Sequence, residues 1–208
     1  MLVTGGAQLV AAPIAGALES RCDPRLLAGF GFCLFALGLG CGAVQSRTAD
    51  FDEMFWPQVL RGIAIMFCLL PPTRLALGAL TAVQAPDASG LFNLMRNLGG
   101  AIGIALVDTI LYGRTGGHAE ALRDRLLAGD VTAAQAIGLD VELFTHRPEG
   151  VTDAQVEAYL RPMVEKAAFA TSTNEAWALL AAFALLGLLL VALAGPTPAP
   201  NPRRPASK

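Results

Sequence analysis

The run "AWALLAAFALLGLLLVALAG", Ala176 to Gly195, decides the fold of this chain. No charged residue interrupts it, and about 20 apolar residues in an α-helix cross the roughly 30 Å hydrocarbon core of a bilayer. Lipid offers the backbone no hydrogen bonds, so a single crossing segment of this kind must satisfy its own polar groups as a helix. The run therefore predicts a transmembrane helix.

Four further segments have the length and apolar character of membrane spans. They are Leu2 to Leu18, Leu26 to Gln45, Phe55 to Leu80 and Gly90 to Gly113. The whole chain is 54% hydrophobic and only 15% charged, which is more apolar than a soluble domain. The sequence predicts an all-α, polytopic membrane helix bundle with about five transmembrane helices.

The spacing of the spans predicts four regions along the chain. Residues 1–113 carry four transmembrane helices, and the polar stretch 114–173 forms an extracytoplasmic hairpin or loop with short helices. Residues 174–195 carry the last span. The proline-rich residues 196–208 have no apolar pattern to bury, which predicts a disordered, basic tail.

Three tetrapeptides in or beside the polar stretch have the spacing of a helix-capping box. The first two, Thr132 to Gln135 and Thr152 to Gln155, predict short surface helices. The third, Ser172 to Glu175, precedes the last apolar run, and we expect it to begin the fifth span.

The distribution of basic residues predicts the orientation in a cell (inner) membrane. Short loops on the cytoplasmic side carry an excess of Lys and Arg. The tail holds Arg203, Arg204 and Lys208, and the loop Glu19 to Arg25 holds two arginines, whereas Ser46 to Glu53 holds one arginine and three acids. We expect a multi-pass protein with its amino terminus outside and its carboxyl terminus in the cytoplasm.

Several function classes find no support in the residues. The fifteen basic residues are scattered and the net charge is −2, so no basic face for nucleic acid is expected. The four cysteines lack metal-ligand spacing, and we expect them to act as small hydrophobic residues. His118 and His146 lie far apart, and neither a nucleophile elbow nor a zinc-protease motif is present. The sequence predicts neither an enzyme nor a cofactor or metal site.

Four charged residues inside or near the predicted spans are candidates for transport or gating: Arg61, Arg74, Arg96 and Asp108. Arg61 and Asp108 fall at similar depth in spans of opposite direction, which favours a structural ion pair over proton carriage by Asp108. Arg96 lies one turn inside its span, where it either reaches the headgroups or has a functional role. Pro71 and Pro72 predict a kink just outside Arg74.

A glycine cluster in the same span, Gly99, Gly100 and Gly103, predicts close helix packing. It contains a G-x-x-x-G pair, which lets a second helix approach the backbone. Gly38 and Gly42 form another such pair.

Two stretches together resemble a known family: "WPQVLRGIAIMFCLLPPTRLALGAL" (Trp56 to Leu80) and "ASGLFNLMRNLGGAIGIALVDTIL" (Ala88 to Leu111). They are similar to the late helices of the fourteen-helix EmrB/QacA-type drug:proton antiporters of the major facilitator superfamily. The resemblance implies that the five spans are the last five of fourteen. It also implies a small drug-like substrate, membrane lipid as surroundings, and an amino-terminal helix bundle as the partner that completes the cavity.

The segment "GALESRCDPR", Gly16 to Arg25, stands where this family repeats a cytoplasmic signature between two helices. Gly16, Arg21 and Arg25 match the signature, and its aspartate is replaced by Ser20 with Glu19 one residue away. The resemblance implies a conformational latch at these positions.

Two functions remain open on the sequence alone. One is the carboxyl-terminal part of a proton-coupled multidrug or small-molecule efflux transporter, incomplete as this chain. The other is a non-transporting membrane protein that uses the same helices for interaction or assembly.

Overall fold

A computed structural model describes residues 2–44, 51–78, 80–81, 83–142 and 153–193. These residues form six helices: α1 (Leu2–Glu19), α2 (Pro24–Gly42), α3 (Phe51–Leu77), α4 (Ala85–Leu127), α5 (Val131–Ile137) and α6 (Asp153–Leu193). All but α5 are long and apolar enough to cross a membrane. The predicted all-α polytopic bundle with five spans is confirmed.

The chain divides into two compact units, each built from separate stretches of sequence. The bundle unit contains Met1–Gly38, Trp56–Gly100 and Ala181–Lys208. The hairpin unit contains Leu39–Phe55 and Ala101–Leu180.

Short sequence signals define several helix ends. Asp23 caps α2 by accepting a hydrogen bond from the Arg25 amide (2.9 Å), and Pro24 occupies the first helical position, where its missing N–H costs nothing. After α4, the amides of Gly129 and Asp130 return to the carbonyls of Leu126 and Arg125. Gly129 has φ +81°, so this is the Schellman ending that favours glycine.

Two helices extend beyond the borders that the sequence suggests. Helix α4 does not end at Gly113 but continues to Leu127, and its Leu122 and Leu126 pack in the hairpin core. Tertiary packing of this kind outweighs the roughly 1 kcal/mol that each of Gly116 and Gly117 costs a helix. Where the membrane borders lie along α4 stays a prediction.

The expectation that Ser172 to Glu175 begins the fifth span as a capping box is wrong as a helix boundary. Helix α6 runs through this tetrapeptide without interruption. The hydroxyls of Thr171 and Thr173 donate to the carbonyls of Ala167 and Phe169, four residues back (3.1 and 2.8 Å). Hydroxyls satisfied in this way do not have to end a helix.

The short helix α5 confirms that a helix lies near Thr132, but its N-cap is two residues earlier in the chain than the capping-box spacing indicates. Asp130 is the N-cap, and its side chain accepts from the amides of Thr132 and Ala133. The second tetrapeptide, Thr152 to Gln155, begins outside the described residues, and His146 and the tail 196–208 lie outside them.

Close helix contacts at glycine hold the bundle unit together. A Cβ built on Gly31 of α2 would lie 2.7 Å from the Phe67 backbone in α3, and one on Gly62 of α3 would lie 2.6 Å from the Thr4 carbonyl oxygen in α1. A Cβ on Gly187 of α6 would lie 2.8 Å from the Phe32 ring in α2. Helices approach this closely only where a side chain is absent.

The hairpin unit has a core of a different kind, made of alanines and aliphatic side chains from α4, α5 and α6. The buried members are Leu126, Ala133, Ala134, Ile137, Val164 and Ala167. Ile137 is fully buried, as are Ala133 and Ala134 of α5. The removal of these apolar side chains from solvent stabilises the hairpin unit.

Candidate functional site

Two arginines of the bundle unit bind the carboxyl-terminal ends of other helices. Arg25, at the start of α2, donates from Nη2 to the carbonyl oxygen of Ala192 in the last turn of α6 (3.2 Å). Arg74, in the last turn of α3, donates from Nη1 to the carbonyl oxygen of Glu19, the last residue of α1.

The chemistry of these two contacts follows from the helix end. The last four carbonyls of a helix have no partner within it, and the aligned peptide dipoles place partial negative charge there. A guanidinium offers both a positive charge and several N–H donors. Arg25 and Arg74 thus tie together the ends of four helices.

The contacts are consistent with the predicted latch, although the Arg74 contact with Glu19 uses the main chain. Arg21 and Gly16 are exposed, and no atom lies within 4 Å of a Cβ built on Gly16. Arg25 and Arg74 thus contact helix ends, and one of these ends is Glu19. Gly16 and Arg21 take no part in these two contacts. The latch role of the signature stays a prediction.

Arg74 also lines a cleft of about 510 Å³ in the bundle unit. Its polar members are Glu19, Thr73, Arg74 and Arg96, and its apolar wall includes Leu69, Leu70 and Leu77. Arg96 comes from α4 and is exposed. Two of the four gating candidates and one residue of the loop signature thus share one cleft.

Arg61 is half-buried in α3 and contacts its own helix. Its Nε donates to the Pro57 carbonyl oxygen (3.1 Å), and its Cγ would lie 3.0 Å from a Cβ on Gly38. Asp108 is exposed on α4. Arg61 and Asp108 belong to different units, and their ion pair stays a prediction.

The glycine cluster of α4 has open space beside it among the residues that the structure describes, and its role in helix packing stays a prediction. A Cβ built on Gly99, Gly100 or Gly103 would meet no atom within 4 Å. Gly31 and Gly62, which permit close contacts, belong to no G-x-x-x-G pair, so sequence spacing gave no signal for them. Gly38 of the second predicted pair does lie against α3, where a built Cβ would be 3.0 Å from Arg61 Cγ.

The polar character of α4 was also missed at two positions. Asn93 and Asn97 are exposed and four residues apart, which places them on one side of the helix. The signal was available, because amides are unusual in a predicted lipid-facing segment.

The hairpin unit contains a polar network between α4 and α6. Glu175 accepts from Arg114 Nη1 (2.8 Å) and lies 3.0 Å from His118 Nε2. Thr115 Oγ1 lies 3.0 Å from Oγ of Ser172, which is fully buried. Arg114 and His118 are four residues apart on one face, but Glu175 lies about 60 residues later, so no local pattern predicts the contact.

The fold and these sites define a multi-pass, all-α membrane protein. Its sequence is similar to that of the colistin resistance protein EmrB of Acinetobacter baumannii, with 40% identity over 118 residues, which are 57% of this chain and 23% of that protein. It is 29% identical to the multidrug export protein EmrB of Haemophilus influenzae over 187 residues, 88% of this chain and 35% of that protein. The fatty acid resistance protein FarB of Neisseria gonorrhoeae is 25% identical over 163 residues, 78% of this chain and 31% of that protein.

The chain thus spans about a quarter to a third of the length of these curated relatives. No family model matches the chain. No solved structure matches it either. The expected resemblance to EmrB-type export proteins is confirmed, and the relatives are transporters.

Proposed function

We propose that this chain forms the carboxyl-terminal part of a secondary active transporter that exports small drug-like molecules in exchange for protons. The observation that carries the proposal is its alignment with the EmrB export protein of Haemophilus influenzae over 88% of the chain. On this proposal the protein is a permease and not an enzyme.

The exposed polar side of α4 supports a missing partner. Asn93 and Asn97 lie on one side of this helix, and the 100° step per residue predicts that Asp108 lies on that side too. A charged group at the centre of a bilayer costs a few kcal/mol on insertion scales, so such residues face protein or a water-filled cavity. We infer that the helices corresponding to the rest of the relatives cover this side and enclose the substrate cavity.

The contacts of the bundle unit support the proposed orientation. Arg25 binds the end of α6, and Arg74, near the end of α3, binds the end of α1. Arg96 lines the same cleft as Arg74. Arginines concentrate on the cytoplasmic side of membrane proteins. We place this end, with the carboxyl terminus, in the cytoplasm, and the hairpin unit's 114–173 region outside.

The experiment that tests the proposal is uncoupler-sensitive dye efflux in cells stripped of their own pumps. The chain is expressed alone or together with the amino-terminal helices of an EmrB relative, and membrane insertion is checked in each case. We expect efflux only from the combination.

Efflux from the chain alone would mean that copies of this chain complete the cavity. Absence of efflux from the combination, with both parts inserted and associated, would contradict the proposal and favour a non-transporting role in assembly.

The role of Asp108 is tested in the active combination. We expect Asp108→Asn to retain proton-driven efflux if the carboxylate only pairs with Arg61, and to abolish it if the carboxylate carries the proton. Asp124→Asn, at an exposed position further along α4, is the matched control. We favour the structural pair, because Arg61 and Asp108 fall at similar depth in spans of opposite direction.

A further inference from the structure

The cleft between α1, α3 and α4 combines positive charge with an apolar wall. Arg74 and Arg96 provide two guanidinium groups, and Leu69, Leu70 and Leu77 provide the apolar lining. The Glu19 carboxylate also lines the cleft, which leaves a net charge of about +1 from these three side chains at neutral pH.

The donors of this cleft are only partly used. Of the five N–H donors of its guanidinium, Arg74 donates one to the Glu19 carbonyl oxygen. Arg96 has no hydrogen-bond or ion-pair partner among the residues that the structure describes. Both arginines therefore retain donors for a ligand with acceptor oxygens.

The position of the cleft restricts the class of ligand. Arg74 lies three residues before the end of α3, and Glu19 is the last residue of α1, so the charged part of the cleft lies where these spans end. Leu69 and Leu70 lie five and four residues before Arg74, toward the middle of the span, whereas Leu77 is the last residue of α3. A ligand that fits has an anionic head at the level of the lipid headgroups and an apolar body directed into the bilayer.

We propose that this cleft binds an anionic glycerophospholipid. Its phosphodiester accepts hydrogen bonds from Arg96 and Arg74, and an acyl chain lies against Leu69 and Leu70. Arginine is well suited to this contact, because its planar fork of donors matches the oxygens of a phosphate. Basic pockets between transmembrane helices on the cytoplasmic side bind lipid headgroups in the same way.

The proposal does not depend on transport. It requires only that the chain lies in a membrane with this end at an interface. Binding by the chain without efflux is therefore a possible result, as is efflux without binding.

The test is native mass spectrometry of the purified full chain in detergent, titrated with phosphatidylglycerol. We expect saturable binding that Arg96→Gln weakens by about fivefold, the effect of one basic residue near an anionic lipid surface. Arg74→Gln should weaken it at least as much, but it also removes the contact with α1, so Arg96→Gln is the decisive variant.

Arg21→Gln is the matched control, because Arg21 is an exposed arginine of the α1–α2 loop that does not line the cleft. We expect it to leave phosphatidylglycerol binding within twofold of the unchanged chain. Equal loss in Arg21→Gln and Arg96→Gln would mean diffuse attraction to basic surface and would overturn the cleft as a specific site.

Two further probes separate the head of the lipid from its tails. We expect neither diacylglycerol, which has tails and no phosphate, nor inorganic phosphate to compete at concentrations where phosphatidylglycerol saturates the chain. Competition by phosphate alone would indicate a soluble anion as the ligand, and competition by diacylglycerol would indicate a purely apolar site. Either result would overturn the proposal.

Discussion

The two units of this chain are held together by different means. In the bundle unit, a small apolar cluster of Ala15, Leu27 and Phe67 is combined with backbone contacts at Gly31 and Gly62 and with arginines that bind main-chain carbonyls at helix ends. In the hairpin unit, a core around Ile137 buries ordinary apolar side chains, and a network around Glu175 joins α4 to α6.

Lipid and water favour different kinds of helix packing. In lipid, apolar side chains gain little by leaving the solvent, so association depends on close packing at small residues. In water, burial of apolar surface drives folding. That the bundle lies in the membrane and the 114–173 region outside it stays a prediction, which the variants below test through the packing of each unit.

The strongest test of the hairpin core is Ile137→Ala. Removing a fully buried isoleucine side chain leaves a cavity and costs about 2–5 kcal/mol. We expect amide exchange in α5 and in the first half of α6 to accelerate about 30-fold or more, with no change in α2, because the two units have separate cores. Hydrogen–deuterium exchange with mass spectrometry measures both regions at once.

The control for that variant is Val131→Ala in the same short helix, since the Val131 side chain is 37% exposed. Its effect should be several times smaller. Equal acceleration in α2 would show that the bundle depends on the hairpin core and would break the comparison.

The bundle is tested by adding a methyl group where two backbones meet. Gly31→Ala places a Cβ 2.7 Å from the Phe67 backbone, and such overpacking costs about 1–3 kcal/mol. Gly99→Ala meets open space, so it should leave stability unchanged or raise it by up to about 1 kcal/mol through helix propensity. Denaturation in mixed micelles, followed by circular dichroism, measures both.

The same pair of variants also sharpens the functional proposal. If the helices that complete the transporter pack on α4, Gly99→Ala should become harmful in the assembled transporter while remaining harmless in this chain alone. Equal tolerance of Gly31→Ala and Gly99→Ala in this chain would contradict the packing described for α2 and α3.

The sequence predicts the number of spans well, because a run such as Ala176 to Gly195 has no other stable state in lipid. The start of α2 also depends on local sequence, because Asp23 caps the helix by accepting from the amide of nearby Arg25 and Pro24 is the first helical residue. The sequence does not predict that α6 passes through Ser172, because a buried hydroxyl needs a partner, and that partner, Thr115, lies 57 residues away.

For the candidate sites too, the sequence indicates single residues but not the contacts between distant parts of the chain. Arg74 and Arg96 could be chosen as candidates from their residue type and position in apolar segments. Their shared cleft with Glu19 could not, since Arg74 and Glu19 are 55 residues apart and meet only when α1 and α3 pack. The close contact at Gly31 could not be predicted either, because spacing within one helix does not say which face meets a neighbour. The packing role of Gly99 stays a prediction.

A smaller effect is expected for the ionic network of the hairpin. Glu175→Gln keeps the shape of the side chain but removes the charge that Arg114 and His118 contact, at a cost of about 1 kcal/mol or less for such partly exposed pairs. Glu157→Gln, whose pair with Arg123 is more exposed, should cost less. We expect exchange in the middle of α6 to accelerate at low salt, and the difference between the two variants to shrink at high salt.

The smallest predicted effect concerns acid and the junction of α4 with α5. The Asp130 carboxylate accepts from the Thr132 hydroxyl (2.6 Å) and from Arg125 Nε (2.8 Å), and these hydrogen bonds lower its pKa from 3.8 to about 2. A lowered pKa in the folded state means that the contribution to stability is complete above about pH 4 and is lost as the pH falls through about 2. Exchange in α5 should therefore accelerate across that range.

Asp130→Asn isolates this contribution, because asparagine is also a good N-cap but does not titrate. Above pH 4 the variant should open α5 slightly more often than the unchanged chain, since it lacks the charge that Arg125 binds. Below pH 2 the two should converge, because protonated Asp130 has lost the same charge. A gap that stays constant from pH 5 to pH 2 would mean that Asp130 acts only as a neutral cap, and the hairpin junction would then owe nothing to the ion pair.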